Sequence, residues 1–202
     1  MTATLLQPEV QTRDLTCREL SLRHESVNVD DRSFEAVVAT ETPALVRDLR
    51  TWDIVEEILV ASGGQFPGSA VLLDDHQRFS GCNSVIGSAT NFKRQGEQWI
   101  GRGIVGKAVE GNIHRQQLWQ DLVDGHIRAV SIGYQVLNYV DIPPGQSQNI
   151  NGRSYKAGER TLRITTKWRV HELSLTPIGA DSEALIRQQP GHVAHSRRSY
   201  FR

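Results

Sequence analysis

The chain has few of the residues that build covalent or metal frameworks. Its 202 residues hold two cysteines, Cys17 and Cys82, far apart and outside any CxxC pair. Neither a disulfide scaffold nor a thiolate zinc site is therefore expected, and a reducing compartment suits the chain best. Net charge is lacking too. The 23 Lys and Arg offset the 23 Asp and Glu, leaving no global field to hold the protein on nucleic acid or an anionic membrane, so no nucleic-acid partner is expected. Nowhere do the ~18 consecutive apolar residues of a membrane span occur. Residues 1–10 lack the basic-then-apolar order of a secretion signal, so a cytoplasmic protein without a membrane segment is expected. No internal repeat is present, which excludes a solenoid.

The remaining composition is that of an ordinary globular protein, with 38% hydrophobic and 23% charged residues. The length suits one domain with tails rather than two full domains. Residues 1–14 are polar, contain Pro8 and show no periodicity, as in a flexible leader. The domain is expected over residues 15–187. Residues 188–202 lack a core pattern and carry Arg197, Arg198 and Arg202 beside Tyr200 and Phe201, a basic and disordered tail.

Within the domain, short β-branched runs bounded by turn residues predict strands at 15–22, 34–40, 70–73, 84–89, 99–105, 127–140 and 162–176. Gln95-Gly96 marks a hairpin turn. Residues 44–60 fit a helix face and a strand equally well. Over 112–124, Ile113, Leu118, Trp119 and Leu122 have helical spacing, with Gly125 as the stop. A short helix is also expected from an Asp181 cap through Ile186. Pro143-Pro144-Gly145 and Asn151-Gly152 predict an exposed excursion or hairpin over 142–160. The expected fold class is mainly β with peripheral helices.

Chemistry centres on residues 128–134, Arg-Ala-Val-Ser-Ile-Gly-Tyr. In strand alternation the small residues Ala129, Ser131 and Gly133 share one face, while Val130, Ile132 and Tyr134 share the other. A serine becomes a nucleophile when a neutral imidazole takes its proton. Of the seven histidines, His76 alone ends an apolar run, Ala70-Val71-Leu72-Leu73, where a strand can hold it rigidly. The imidazole in turn needs a carboxylate to fix its tautomer. Uninterrupted alternation along 162–176 sets Glu172 on the side of Ile164, Thr166, Trp168 and Val170, where a carboxylate is costly to bury without a partner. Arg163, Thr165, Lys167, Arg169 and His171 fall on the opposite, solvated side. Taken singly, each candidate also suits a structural role: Ser131 as a small packing residue, His76 as a turn cap, Glu172 as an arginine partner.

Two other sites carry less weight. Asp74, Asp75 and His76 are metal-capable, but neighbours in a strand point to alternate faces and no second cluster has ligand spacing, so no metal is expected. Gly101-Arg102-Gly103-Ile104-Val105-Gly106 spells GxGxxG without the βαβ context of a dinucleotide site. Its glycines are expected at turns or a bulge, and no cofactor is expected.

The order FEAVVATE, VLLDDHQR, a helix leading into IRAVSIGY, then WRVHELSLTPIGAD resembles the prohead protease family of tailed bacteriophages across residues 15–187. The resemblance implies a closed or nearly closed β-barrel with peripheral helices, similar to the herpesvirus maturational proteases. It implies a serine endopeptidase inside the assembling prohead in the host cytoplasm, cleaving the scaffolding segment of the major capsid protein and often itself. Self-association and removal of the basic tail by self-cleavage are compatible with it. By motif, Ser131 matches the nucleophile, His76 the general base and Glu172 the residue that orients the base. His171 is the runner-up third member, because the herpesvirus enzymes use a second histidine there. The rival from another class is a catalytically inert capsid- or scaffold-associated β-domain, and a metal hydrolase ranks third.

Overall fold

A computed structural model describes residues 26–48 and 50–177, with the backbone alone described for 16–21. The expected leader, the Asp181 helix and the basic tail lie outside the described residues. Strands run in chain order as β1 (Thr16–Ser21), β2 (Ser33–Thr40), β3 (Ala44–Arg47), β4 (Ile54–Leu59), β5 (Gly64–Gln65), β6 (Ser69–Asp74), β7 (Val85–Gln95) and β8 (Gln98–Val105). Helix α1 (Ile113–Val123) follows, then β9 (Ala129–Ile142), β10 (Ser147–Ile150), β11 (Arg153–Lys156) and β12 (Leu162–Thr176). The fold is mainly β, with one α-helix among the described residues. No helix among them is long and apolar enough to cross a membrane.

The long strand β12 organises the sheet. It pairs antiparallel with β9 along its length, and its other edge meets β4, β5 and β6 in turn, all parallel. The main path runs β1-β9-β12-β6-β7-β8-β2, and its two end strands, β1 and β2, lie against each other. Leu72, Val130, Ile132, Trp168, Leu173 and Phe34 form the centre of one core with Leu118, Trp119 and Leu122 of α1. Burying large side chains of this kind stabilises a domain by about 1.5–3 kcal/mol apiece. The core therefore fixes β9, β12 and β6, the three strands that carry or lead into the candidate residues, as adjacent neighbours.

Local chemistry explains most element boundaries. The Asn112 side chain accepts the Arg115 backbone N–H at 3.0 Å and caps α1, and Gly125 leaves the helix at φ +76°. Ile113 is exposed, contrary to the face expected for it. At 3.6 residues per turn it lies about 140° around the axis from Leu118 and so off the apolar stripe. Gly96, at φ +62°, closes the β7–β8 hairpin as its sequence predicts. Residues 44–60 resolve into the β3–β4 hairpin. Two strand partners for β4, one on each edge, decide what the mixed spacing left open.

Packing refines two other expectations. Gly101 and Gly103 lie within β8 rather than at turns, Gly101 opposite the bulge that Asn91 and Phe92 form in β7, and a methyl group at either would press into the Phe92 or Phe34 ring. The 142–160 excursion is the β10–β11 hairpin, turning at Asn151 and Gly152 with φ of 52° and 84°, as suits a left-handed Asn-Gly turn. Only part of it is exposed, because Ile150, Tyr155 and Ala157 pack on Ile58, Ile142 and Ile164 in a second apolar cluster.

The side of β12 expected to face solvent is also half buried. Thr165 donates to Glu57 Oε1 at 2.5 Å, and Tyr134 donates to Glu57 Oε2. Arg163 bridges Asp48 at 2.7 Å and Asp141 at 2.8 Å. Burial alone would raise the Asp48 carboxyl, but the Arg50 backbone N–H and the Arg163 guanidinium outweigh it and hold the pKa at about 2 against an ordinary 3.8. A depressed carboxyl contributes stability above its unfolded pKa and loses it as pH falls through the folded value. Asp48→Asn is expected to cost about 2 kcal/mol at pH 7, with the gap from the native protein closing between about pH 4 and pH 2. Urea unfolding across that range checks this, and a gap independent of pH would sink it.

Candidate active site

Strand β12 does not alternate without interruption. Val170 opposes Tyr134 and Glu172 opposes Gly133, so His171 is an extra residue on β12 with no counterpart on β9. One inserted residue reverses the side-chain alternation beyond it. Trp168, Val170, Leu173 and Leu175 accordingly face the core, while Glu172, Ser174 and Thr176 share the other face. The expected placement of Glu172 beside Trp168 and Val170 is thus corrected: Glu172 begins a polar stripe rather than ending an apolar one. His171 is exposed.

Strand β9 keeps its alternation through this region. Ala129, Ser131 and Gly133 stand opposite Thr176, Ser174 and Glu172. Directly opposed residues project to one face about 4.5–5.5 Å apart, so the small-residue face of β9 meets the polar stripe of β12. The small size at 133 has a specific cause. A methyl group there would overlap the Glu172 carboxylate, so glycine creates the space the carboxylate occupies. Ser131, Glu172 and Ser174 are all buried.

His76 arrives from the other edge of β12. Strand β6 ends at Asp74, beside Leu175, and the next backbone N–H, of Asp75, donates to the Leu175 carbonyl at 2.9 Å. Asp75 and His76 then both adopt left-handed backbone angles, φ 43° and 55°. The Gln77 N–H donates back to the Asp74 carbonyl at 3.0 Å. This is the geometry of a type I′ turn, tolerated by Asp and His better than by most residues other than glycine. His76 therefore lies in the turn beyond the strand, and the turn folds it back over β12. Its Nδ1 is 2.7 Å from Glu172 Oε1, and its side chain is 16% exposed against 3% for Glu172.

The two sides of the carboxylate are both engaged. Ser174 Oγ donates to Glu172 Oε2 at 2.7 Å, lies 3.3 Å from His76 Nδ1, and accepts the His76 backbone N–H at 3.3 Å. Because the carboxylate accepts at Oε1, the imidazole proton resides on Nδ1 and Nε2 becomes the basic nitrogen. The structure thus joins His76 and Glu172 directly and sets Ser131 one strand over, facing Ser174. Sequence reasoning missed Ser174. The available signal was its spacing: two residues beyond a buried glutamate in a strand, a hydroxyl faces the same way as the carboxylate.

Asp74 and His76 diverge rather than converge. Asp74 Oδ2 is 2.7 Å from Nε2 of His114, an exposed residue in the first turn of α1. Among the described residues no group of three or more His, Cys, Asp or Glu side chains is arranged to hold a metal ion. Compared with family models, curated proteins and solved structures, the chain matches none.

Proposed function

We propose that the protein is a serine endopeptidase of the prohead-maturation kind, with Ser131 as nucleophile, His76 as general base and Glu172 as the residue that orients and balances the base. The observation that carries this is the 2.7 Å contact between His76 Nδ1 and Glu172, with Ser131 facing the same stripe from the adjacent strand. Carboxylate, imidazole and hydroxyl are the three groups that acyl transfer from a serine requires.

In the proposed reaction Ser131 Oγ attacks the scissile carbonyl carbon while its proton passes to His76 Nε2. Glu172 stabilises the imidazolium that forms. The tetrahedral intermediate collapses as the imidazolium protonates the departing amine, leaving an acyl ester on Ser131. Water then attacks that ester, giving its proton to His76, and the carboxylic acid leaves as the Ser131 hydroxyl is restored.

The wider setting belongs to the same proposal. The path from β1 to β2, whose ends meet, is taken as the nearly closed barrel of the herpesvirus-protease type. The substrates are the scaffolding segment of the major capsid protein and, in cis, the protease itself, inside the prohead assembling in the host cytoplasm. The ordered motifs from FEAVVATE to HELSLTPIGAD support this assignment.

A fluorophosphonate probe distinguishes the proposal from an inert β-domain. The native protein is expected to gain one covalent adduct, located on Ser131 by peptide mass spectrometry, and Ser131→Ala none. Co-expressed capsid protein should be trimmed by the native chain alone. An unlabelled native protein, or capsid protein trimmed equally by Ser131→Ala, would falsify the assignment.

A further inference from the structure

We propose that Ser174 is a positioning residue, whose single hydroxyl locks the Glu172 carboxylate and the left-handed turn carrying His76 into one unit. This rests on the protease reading above and assigns within it a role that the Ser131, His76 and Glu172 set leaves out.

A glutamate side chain turns about three bonds, so contact with His76 through Oε1 alone does not fix the carboxylate plane. The Ser174 O–H at Oε2 supplies the second point. Gly133, with no side chain of its own, gives the carboxylate room in that orientation.

The same hydroxyl oxygen accepts the His76 backbone N–H. Here it acts on a residue held at positive φ, a conformation that a non-glycine residue keeps only where its surroundings enforce it. One donated and one accepted bond use the hydroxyl in both of its capacities. Accepting the N–H also polarises the O–H and strengthens its bond to the carboxylate.

Ser174 does not compete with Ser131 as nucleophile. Its oxygen lies on the Nδ1 side of the imidazole, beside the carboxylate, whereas the base accepts a proton at Nε2. Its own proton is already directed to Glu172. What it controls is which imidazole nitrogen carries the proton and where Nε2 points.

Ser174→Ala and Ser174→Thr test this through two independent readouts. The first is the rate at which a fluorophosphonate probe labels Ser131. The second is the ring ¹⁵N shifts of His76, which report the tautomer without any need for activity. Ser174→Ala is expected to label Ser131 about tenfold to a hundredfold more slowly, the loss of one charge-assisted hydrogen bond. Its His76 ring should move from the Nδ1–H form toward a mixture of tautomers.

Ser174→Thr restores the hydroxyl and is expected to recover both readouts to within about threefold of the native rate. Native labelling and native ring shifts in Ser174→Ala would overturn the inference. So would a folded threonine variant as slow as the alanine one, since packing rather than the hydroxyl would then be responsible. If threonine does not fold, the ring shifts of Ser174→Ala decide alone. Absence of labelling in the native protein would instead count against the protease reading, while the ring shifts would still show whether Ser174 fixes the pair.

Discussion

Alanine at Ser131, at His76, or at both is expected to lower kcat for capsid-protein cleavage by about 10⁶, with the double variant no slower than either single one. The equality follows from the chemistry. A serine hydroxyl without a base keeps its proton, and a base without a nucleophile has nothing to deprotonate, so either loss removes the same step. His76→Ala carries a complication, because it places alanine at φ 55°, where a residue with a Cβ and no compensating side chain is strained. His76→Asn is the better variant. Asparagine tolerates left-handed angles but cannot act as the base, so it should lose as much rate while retaining the turn. Single-turnover cleavage of purified capsid protein checks this. Losses that multiplied in the double variant would mean that Ser131 and His76 act in separate steps.

What could be read from the sequence followed from uninterrupted local patterns. The two faces of β9 emerged from simple alternation because β9 carries no extra residue between Ala129 and Tyr134 and pairs with β1 there without a register shift, and Asn112 and Gly125 bracket α1 by their own chemistry. The bulge at His171 could not be read in this way. Arg169-Val170-His171-Glu172 contains no glycine or other local marker, and the extra residue is defined only against Gly133 and Tyr134 on the partner strand. Glu172 was expected to need a partner, and it has His76 and Ser174, but on the face opposite to the one alternation assigned. The turn at Asp75 and His76 was hidden for a related reason. The Leu175 carbonyl and the Ser174 hydroxyl, both from β12, hold it. Arg163 and Thr165 likewise read as solvent-facing until Asp48, Asp141 and Glu57 arrive from other segments of the chain.

Glu172→Gln should lower kcat by about 10⁴, less than loss of the nucleophile or base but far more than loss of one neutral hydrogen bond. An amide is nearly isosteric with the carboxylate, yet it has one accepting atom where the carboxylate has two. In the native site both oxygens accept, Oε1 from the His76 ring and Oε2 from Ser174. Ser174 Oγ also accepts the His76 backbone N–H, so its O–H remains directed outward as a donor. The amide oxygen can satisfy Ser174 only if the NH₂ group faces His76, and an NH₂ donor at Nδ1 forces the imidazole proton onto Nε2, where Ser131 needs an acceptor. The opposite amide orientation keeps the ring tautomer but sets an N–H against the Ser174 hydroxyl, and it still provides no negative charge for the imidazolium. Combining Glu172→Gln with Ser174→Ala removes the donor that favours the harmful orientation. The double variant is therefore expected to be faster than Glu172→Gln alone, and ring ¹⁵N shifts should show its His76 returning toward the Nδ1–H form. A double variant slower than the single one would show that the tautomer is set by something other than the Ser174 hydroxyl.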